Sequence, residues 1–240
     1  MALTGSPTPD ADEVRGFYDD VAPAYARLLP GPTAEEPLDL AMLDELVRRV
    51  SETPGRSVLD AGCGTGRMIP LLTDAGLEVT GADLSPGMIA IARERHPSVR
   101  LEVAGLDALP FDDGSFDGVP AWYSIIHTAP GSLGPVLSEL RRVLRPGGHL
   151  LLAFQAGAGT RRILRGYGTE AAVDAHLHDP DDVAERLRRS GLAVDAVLRR
   201  AAVRERHDQG FVLAHMPADA RNDGDASPLR PPDEGRIPAL

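Results

Sequence analysis

Lysine is absent from this 240-residue sequence, and Cys63 is its only cysteine. Without lysine the chain cannot build a P-loop, whose lysine holds nucleotide phosphates. A single cysteine excludes an internal disulfide and a zinc site made of several thiolates. Aromatic residues make up only 4% of the sequence. There is no run of about 18 apolar residues, so the sequence predicts no membrane span.

Basic residues are outnumbered, because 25 arginines stand against 36 acidic residues and give a net charge of −11. A chain of this charge repels nucleic-acid phosphates and anionic lipids, so we expect neither as a partner. The first residues, MALTGSPTPDADE, lack the basic region and apolar core of a signal peptide. We therefore expect a cytoplasmic protein that is a monomer or a homodimer.

Strand-length apolar runs alternate with helical patterns along most of the chain, which predicts an α/β fold with a mostly parallel sheet. No helix separates the last two predicted strands, so we expect them to pair antiparallel. Predicted strands are 57–61, 78–84, 99–104, 116–121 (with Pro120 near its end), 149–155, 194–202 and 211–215. Predicted helices within this region are 67–75, 86–95, 133–145 and 181–190.

The domain organisation predicted from composition is a single domain over residues 10–216. Residues 1–9 and 217–240 are rich in proline and small polar residues and are expected to be disordered. Two helical patterns over 10–52 predict an N-terminal helical cap. Residues 156–178 are the least patterned stretch inside the domain.

The segment VLDAGCGTG, residues 58–66, leaves a predicted strand and enters a predicted helix. Its glycines let the backbone turn sharply and approach a ligand, but the G-x-G-x-G spacing differs from the dinucleotide fingerprint. Asp83 ends the second predicted strand, where a carboxylate can accept hydrogen bonds from ribose hydroxyls. The alternative for Asp83 is an exposed acid that precedes a helix cap.

Four segments in this order resemble the class I S-adenosylmethionine-dependent methyltransferases: VLDAGCGTGR (58–67), GADLSPGMIAIAR (81–93), LPFDDGSFDGV (109–119) and ELRRVLRPGGHLLLAF (139–154). The resemblance covers residues 14–216 and is greatest to the bacterial small-molecule group with type 11 or type 25 domains. It implies a Rossmann-like, doubly wound, mostly parallel seven-stranded sheet whose last strand is antiparallel, with an N-terminal helical cap.

The resemblance also implies S-adenosylmethionine as the cofactor and S-adenosylhomocysteine as its product. Asp83 then holds the ribose, and Cys63 is interpreted as a small loop residue facing the ligand, not as a nucleophile. Gly105 stands where relatives usually carry an acid, and Asp107 follows two residues later. The implied cofactor-binding residues are Tyr18, Tyr25, Asp60, Gly62, Cys63, Gly64, Gly66, Arg67, Asp83, Leu84, Met88, Gly105, Leu106, Asp107, Ala121 and Trp122.

The acceptor side is expected after the fourth strand, in WYSIIH, and in residues 156–178. Aromatic faces attract cations, so Trp122 or Tyr123 is suited to a sulfonium; hydrophobic packing is the alternative. His127 is the candidate base for an acceptor that loses a proton, or else a positioning group. Candidate substrate-binding residues are Tyr123, Gln155, Tyr167, His176 and His178.

These features predict an enzyme that transfers a methyl group from S-adenosylmethionine to an O or N atom of a small molecule, of the secondary-metabolite kind. Fold does not fix function, so two alternatives remain open: a cyclase or isomerase that binds the cofactor without methyl transfer, and a non-catalytic binding module. An RNA methyltransferase is disfavoured by the net charge. No metal site is predicted, because His176 and His178 have no apparent third ligand.

Overall fold

A computed structural model describes residues 11–164 and 166–218. Its helices are α1 (Ala11–Leu28), α2 (Pro37–Ser51), α3 (Ile69–Asp74), α4 (Pro86–Arg95), α5 (Leu133–Val143) and α6 (Pro180–Arg189). Its strands are β1 (Ser57–Ala61), β2 (Glu78–Asp83), β3 (Arg100–Val103), β4 (Phe116–Trp122), β5 (Leu144–Gln155), β6 (Thr160–Ile163), β7 (Val173–His176), β8 (Ala193–Arg200) and β9 (Gln209–His215). The predictions for residues 1–9 and for nearly all of 217–240 lie outside the described residues.

Seven strands form one sheet in the order β3-β2-β1-β4-β5-β9-β8. Strands β1 to β5 pair in parallel, whereas β9 runs antiparallel to both β5 and β8. The strand order reverses beside β1, and in open α/β sheets ligands bind outside the carboxyl ends of the strands at such a switch point. The predicted doubly wound sheet with an antiparallel last strand is confirmed.

Most strand boundaries differ from the predictions by one or two residues, and two differences concern the centre of the sheet. Pro120 lies inside the central strand β4 rather than at its end, although it has no N–H for the ladder. Val119 and Ala121 on either side keep their pairing with β5, and Pro120 leaves no N–H unpaired, so the strand continues through it. Strand β5 begins at Leu144 rather than His149, because the chain after α5 already pairs with Phe116 before the register shifts.

Two helices begin at a residue whose side chain caps them. The side chain of Ser85 accepts a hydrogen bond from the N–H of Met88, with Pro86 in the first turn of α4. Asp179 caps α6 by accepting from the N–H groups of Asp181 and Asp182. Each cap fixes the direction in which the chain leaves its preceding strand or loop.

Helix α1 and the segment after β5 cover the carboxyl edge of the sheet. Asp19 of α1 accepts hydrogen bonds from Ser85 Oγ at 2.6 Å and from the Gly87 N–H at 2.8 Å, which joins α1 to the start of α4. Residues 156–178, left without a predicted structure, contain the antiparallel hairpin of β6 and β7. Within the described ranges, no helix has the length and apolar character that a membrane crossing needs.

A buried ion pair ties α2 to the far edge of the sheet. Arg200 at the end of β8 donates from Nε to Asp39 Oδ1 at 2.5 Å and from Nη2 to Asp39 Oδ2 at 2.7 Å. Their side chains are only 7% and 2% exposed. Removal of one partner from such a pair strands a buried charge, which is costly.

We predict that Arg200→Ala lowers the free energy of unfolding by about 3–5 kcal/mol, because Asp39 stays buried without its cation. Urea denaturation measures this loss. Arg189→Ala is the matched control, since Arg189 pairs with Glu185 at an exposed position of α6 and its loss should leave stability nearly unchanged. Similar losses in both variants would contradict the role of the buried pair.

Candidate active site

A cavity of about 530 Å³ lies at the carboxyl edge of β1, β2 and β4, between the sheet, α1 and the β6–β7 hairpin. Most of the residues singled out from the sequence line it. They are Tyr18, Tyr25, Gly62, Gly64, Arg67, Asp83, Leu84, Met88, Gly105, Leu106, Asp107, Trp122, Tyr123, His127, Gln155 and Tyr167. Six others do not line it: Asp60, Cys63, Gly66, Ala121, His176 and His178.

The glycine loop is anchored to the end of β2 through Asp83. One carboxylate oxygen accepts from the Gly64 N–H at 2.8 Å, and the other accepts from the Ser85 N–H at 2.9 Å. Burial raises the pKa of Asp83, and these two hydrogen bonds oppose that rise. Each oxygen still has acceptor capacity, so the carboxylate can receive hydroxyl donors from a ligand in the cavity.

Gly62 is required by both its conformation and its surroundings. Its φ of +80° is a left-handed backbone that side chains rarely adopt, and a Cβ there would lie 2.2 Å from Cβ of Ser124. The loop therefore passes directly against the segment that follows β4. This contact brings the two candidate halves of the site together.

Asp60 and Cys63 lie beneath the loop. Asp60 is 2% exposed, and burial raises its pKa to about 7. Its Oδ2 has no hydrogen-bond partner within the described part of the chain. The Cys63 side chain packs in a core cluster with Ile69, Ile89 and Leu101 rather than facing the ligand, which corrects the sequence interpretation. Burial raises the pKa of its thiol, so it stays protonated.

Two more candidate residues outside the cavity, Gly66 and Ala121, are enclosed by other parts of the fold. Gly66 has φ of +76°, and a Cβ there would lie 2.6 Å from the ring of His96. Ala121 is fully buried in the core formed by β4 and α5. Neither presents a side chain to the cavity.

Arg67 already has a carboxylate partner, which the sequence did not indicate. Its Nη1 bonds to Glu35, and both side chains are 9% exposed. Tyr25 also hydrogen-bonds Arg67, while burial raises the tyrosine pKa. The resemblance implied that Arg67 binds the cofactor; in this structure Arg67 pairs with the Glu35 carboxylate.

The edge near β3 supplies a mostly apolar wall. Leu84 and Leu106 line it together with Met88, which is 1% exposed and also belongs to the cluster under α1. Asp107 folds back so closely over Gly105 that a Cβ at Gly105 would lie 2.7 Å from its carboxylate. Gly105 thus lies where an acid was expected, with the Asp107 carboxylate beside it.

Tyr18 and His127 form a hydrogen-bonded pair across the cavity, with Tyr18 Oη 2.8 Å from His127 Nε2. The other ring nitrogen lies 2.6 Å from the carbonyl oxygen of Asp174. A carbonyl only accepts, so Nδ1 carries the proton and Nε2 accepts from the Tyr18 hydroxyl. Burial lowers the pKa of His127 to about 4, which keeps the ring neutral near pH 7. Burial also raises the pKa of Tyr18.

All four tyrosines of the sequence and its single tryptophan line this cavity. Tyr123 and Tyr167 have φ values of +57° and +54°, the left-handed region that glycine favours. Trp122 Nε1 and Ser124 Oγ are buried without a hydrogen-bond partner among the residues described. These donors and strained positions are concentrated where a ligand would bind.

The end of β5 contributes Gln155 to the cavity, and the hairpin segment after it contributes Arg161 and Tyr167. Arg161 was not among the residues that the sequence indicated. Arg161 Nε donates to Gln155 Oε1 at 2.8 Å, and the Tyr167 ring stacks edge-on against Tyr25 with centroids 4.9 Å apart. No motif surrounds Arg161 and no predicted strand contains it, so the sequence carried no signal for its place in the cavity.

His176 and His178 sit behind the cavity wall. His176 Nδ1 lies 3.0 Å from Thr160 Oγ1, and His178 Nε2 lies 3.3 Å from the Ile125 carbonyl. Burial lowers the pKa of both rings. Within residues 11–164 and 166–218, no group of three or more His, Cys, Asp or Glu side chains is placed to hold a metal ion.

A family model described as a methyltransferase domain matches residues 58–148. The demethylmenaquinone methyltransferase of Beutenbergia cavernae is 38% identical over 149 residues, which are 60% of this chain and 58% of that protein. By these matches the chain is similar to methyltransferases. It spans about three fifths of the length of that relative and of two others of similar identity.

Solved structures share the fold of this chain. The cyclase SpnF superposes with a TM-score of 0.67 at 21% identity, covering 90% of this chain and 100% of that one. The Burkholderia thailandensis 1,6-didemethyltoxoflavin-N1-methyltransferase, crystallised with its substrate and S-adenosylhomocysteine, gives 0.62 at 20% identity, covering 90% and 94%. At these identities the likeness concerns the fold alone.

The neutral, buried His127 predicts a specific pH dependence of stability. Its pKa is about 4 in the folded state and about 6.5 when unfolded. The unfolded chain therefore gains a proton first as the pH falls. Wild type should lose about 2–4 kcal/mol of unfolding free energy relative to His127→Gln between pH 7 and pH 4.

Urea denaturation of both proteins at several pH values measures this difference. The opposite titration of Asp60, whose pKa is raised, is common to both proteins and cancels. Parallel stability curves would show that His127 titrates normally.

Proposed function

We propose that this chain transfers a methyl group from S-adenosylmethionine to an O or N atom of a small molecule, of the secondary-metabolite kind. The observation that carries the proposal is one cavity lined by two chemically distinct groups of residues. Asp83 and the glycine loop form the first group, and the Tyr18–His127 pair with Trp122 forms the second. The matching domain model and the names of the relatives support the same activity.

The residues of the first group, Asp83 and the glycine loop, fit the cofactor. Asp83 has free lone pairs for the two ribose hydroxyls, and Gly62 and Gly64 allow the methionine part to approach the backbone. Leu84 and Met88 offer an apolar face to the adenine. The bound cofactor supplies an electrophilic methyl carbon on a good leaving group.

The chain's own task is then alignment. Holding an acceptor in line with the methyl group can contribute about 7–11 kcal/mol through proximity. Trp122 ends β4, Tyr123 follows it, and both line the cavity, where aromatic faces attract a sulfonium. Tyr123 is fixed there by its N–H, which donates to the Ala153 carbonyl at 2.9 Å.

We assign the acceptor's proton to the Tyr18–His127 pair. The proton passes to Tyr18 Oη as the Tyr18 proton passes to His127 Nε2, and the Asp174 carbonyl holds Nδ1–H. Because the pKa of His127 is about 4, its lone pair is available across the physiological range. The same low pKa makes it a mild base, suited to acceptors that ionise easily.

The cyclase or isomerase alternative is not favoured. The curated relatives at 34–38% identity are named methyltransferases, whereas the likeness to SpnF concerns the fold. A rearrangement would leave the product without an added methyl group, so product mass separates the two reactions.

We predict that incubation with methyl-deuterated S-adenosylmethionine and a metabolite extract yields a labelled small product by mass spectrometry. Asp83→Asn should weaken S-adenosylhomocysteine binding about 10- to 100-fold, because a charge-assisted hydrogen bond is lost. The exposed Asp112→Asn is the control and should bind normally. Binding without any label transfer would favour the non-methylating alternative.

We predict that Tyr18→Phe and His127→Gln each lower kcat about 100-fold or more, since the acceptor loses its proton acceptor. Affinity for S-adenosylhomocysteine, measured by calorimetry, should change little. The wild-type rate should stay level down to about pH 5, because His127 protonates only near pH 4. Undiminished turnover in both variants would remove the pair from the mechanism.

A further inference from the structure

Strand β6 presents alternate residues to the cavity and to solvent, as the two-residue period of a strand requires. Arg161 and Ile163 line the cavity, whereas Arg162 between them does not. Arg162 is exposed and pairs with Glu13 at 3.3 Å and Asp174 at 3.1 Å. Two adjacent arginines thus have opposite surroundings.

The guanidinium of Arg161 has no carboxylate within ion-pair distance among the described residues. Its Nε donates to the Gln155 amide oxygen, which fixes the plane of the group. Its other electrostatic neighbours are the Tyr18 and Tyr167 hydroxyls, the His127 ring and a second cation, Arg206. In contrast, Arg67, Arg142 and Arg200 each bond a carboxylate.

An arginine remains charged in proteins, and a partly buried charge is costly unless it is paired. Arg161 is partly buried at the wall of the cavity near Tyr18. With Nε held by Gln155, two Nη groups are left to donate. Parallel N–H groups on one guanidinium match the two oxygens of a carboxylate.

We propose that the methyl acceptor carries a carboxylate group, and that Arg161, oriented by Gln155, binds it. The inference rests on the proposed function and adds the substrate class. A monoanion suits the site better than a phosphate, because Asp83 and Asp107 line the same cavity and repel a second negative charge. Arg67 follows the glycine loop in sequence and is already paired with Glu35.

The first test uses benzoate as a carboxylate probe and benzamide as its neutral analogue. Protein saturated with S-adenosylhomocysteine is titrated with each, and binding is followed by thermal shift. We expect stabilisation by benzoate and little by benzamide. Arg161→Gln should raise the dissociation constant for benzoate about tenfold or more, and the adjacent Arg162→Gln should leave that constant unchanged. Equal effects of the two probes, or no benzoate effect in wild type, overturn the proposal.

The second test compares two metabolite extracts in the label-transfer reaction. In one, carboxyl groups are converted to methylamides with methylamine and a carbodiimide; the other is mock-treated. Labelling should fall at least about tenfold with the capped extract and with Arg161→Gln, matching the lost charge-assisted bonds. Equal labelling overturns the inference while leaving methyl transfer intact.

The affinity for S-adenosylhomocysteine separates the remaining cases. It should be the same in wild type, Arg161→Gln and Arg162→Gln. Weaker binding by Arg161→Gln alone would assign this arginine to the cofactor and overturn the proposal. Failure of wild type to bind S-adenosylhomocysteine would instead contradict the proposed function.

Discussion

The bond between the Gly64 N–H and the Asp83 carboxylate organises the site. It joins the loop after β1 to the end of β2, and the second oxygen of Asp83 receives the Ser85 N–H. Ser85 in turn caps α4 and donates to Asp19 of α1. A continuous series of hydrogen bonds therefore links the sheet edge, the first turn of α4 and the helix that covers the cavity. The geometry of the cavity depends on the Asp83 carboxylate, whose oxygens can still accept hydrogen bonds from a ligand.

The wall of the cavity contains residue types that are rare in this sequence. Tyrosine and tryptophan are few, and all of them line this one space, whereas the Phe residues do not. Tyrosine combines a large apolar ring with a hydroxyl, so the wall offers both stacking surface and hydrogen bonds. The core of the sheet is filled instead by small and branched aliphatic side chains, together with buried phenylalanines such as Phe154 and Phe211.

The parts of the structure that local sequence determines were predictable. The glycine loop, Asp83 and the Ser85 cap each lie within one strand–loop–helix unit, and the strand–helix alternation specified the sheet. Contacts between distant segments were not predictable: Glu35 with Arg67, Tyr18 with His127, and Arg161 with Gln155. Each depends on how α1 and the hairpin fold over the sheet, and no periodicity or motif encodes that packing. Cys63 was placed correctly in the loop, but the direction of its side chain depends on the space beside Gly81 and Leu101.

The left-handed backbone at Tyr123 and Tyr167 allows the size of the cavity to change at these two positions. At most positions of a pocket wall, replacing a large side chain by glycine lowers stability, because glycine loses more conformational entropy on folding. At these two positions the backbone already has the conformation that glycine prefers, so shortening the side chain would relieve strain as it opened space. The same protein framework can thus enlarge its pocket at two points of the wall without rebuilding the surrounding loops. Such positions are natural places for a lineage of enzymes to change the size of the molecules it accepts.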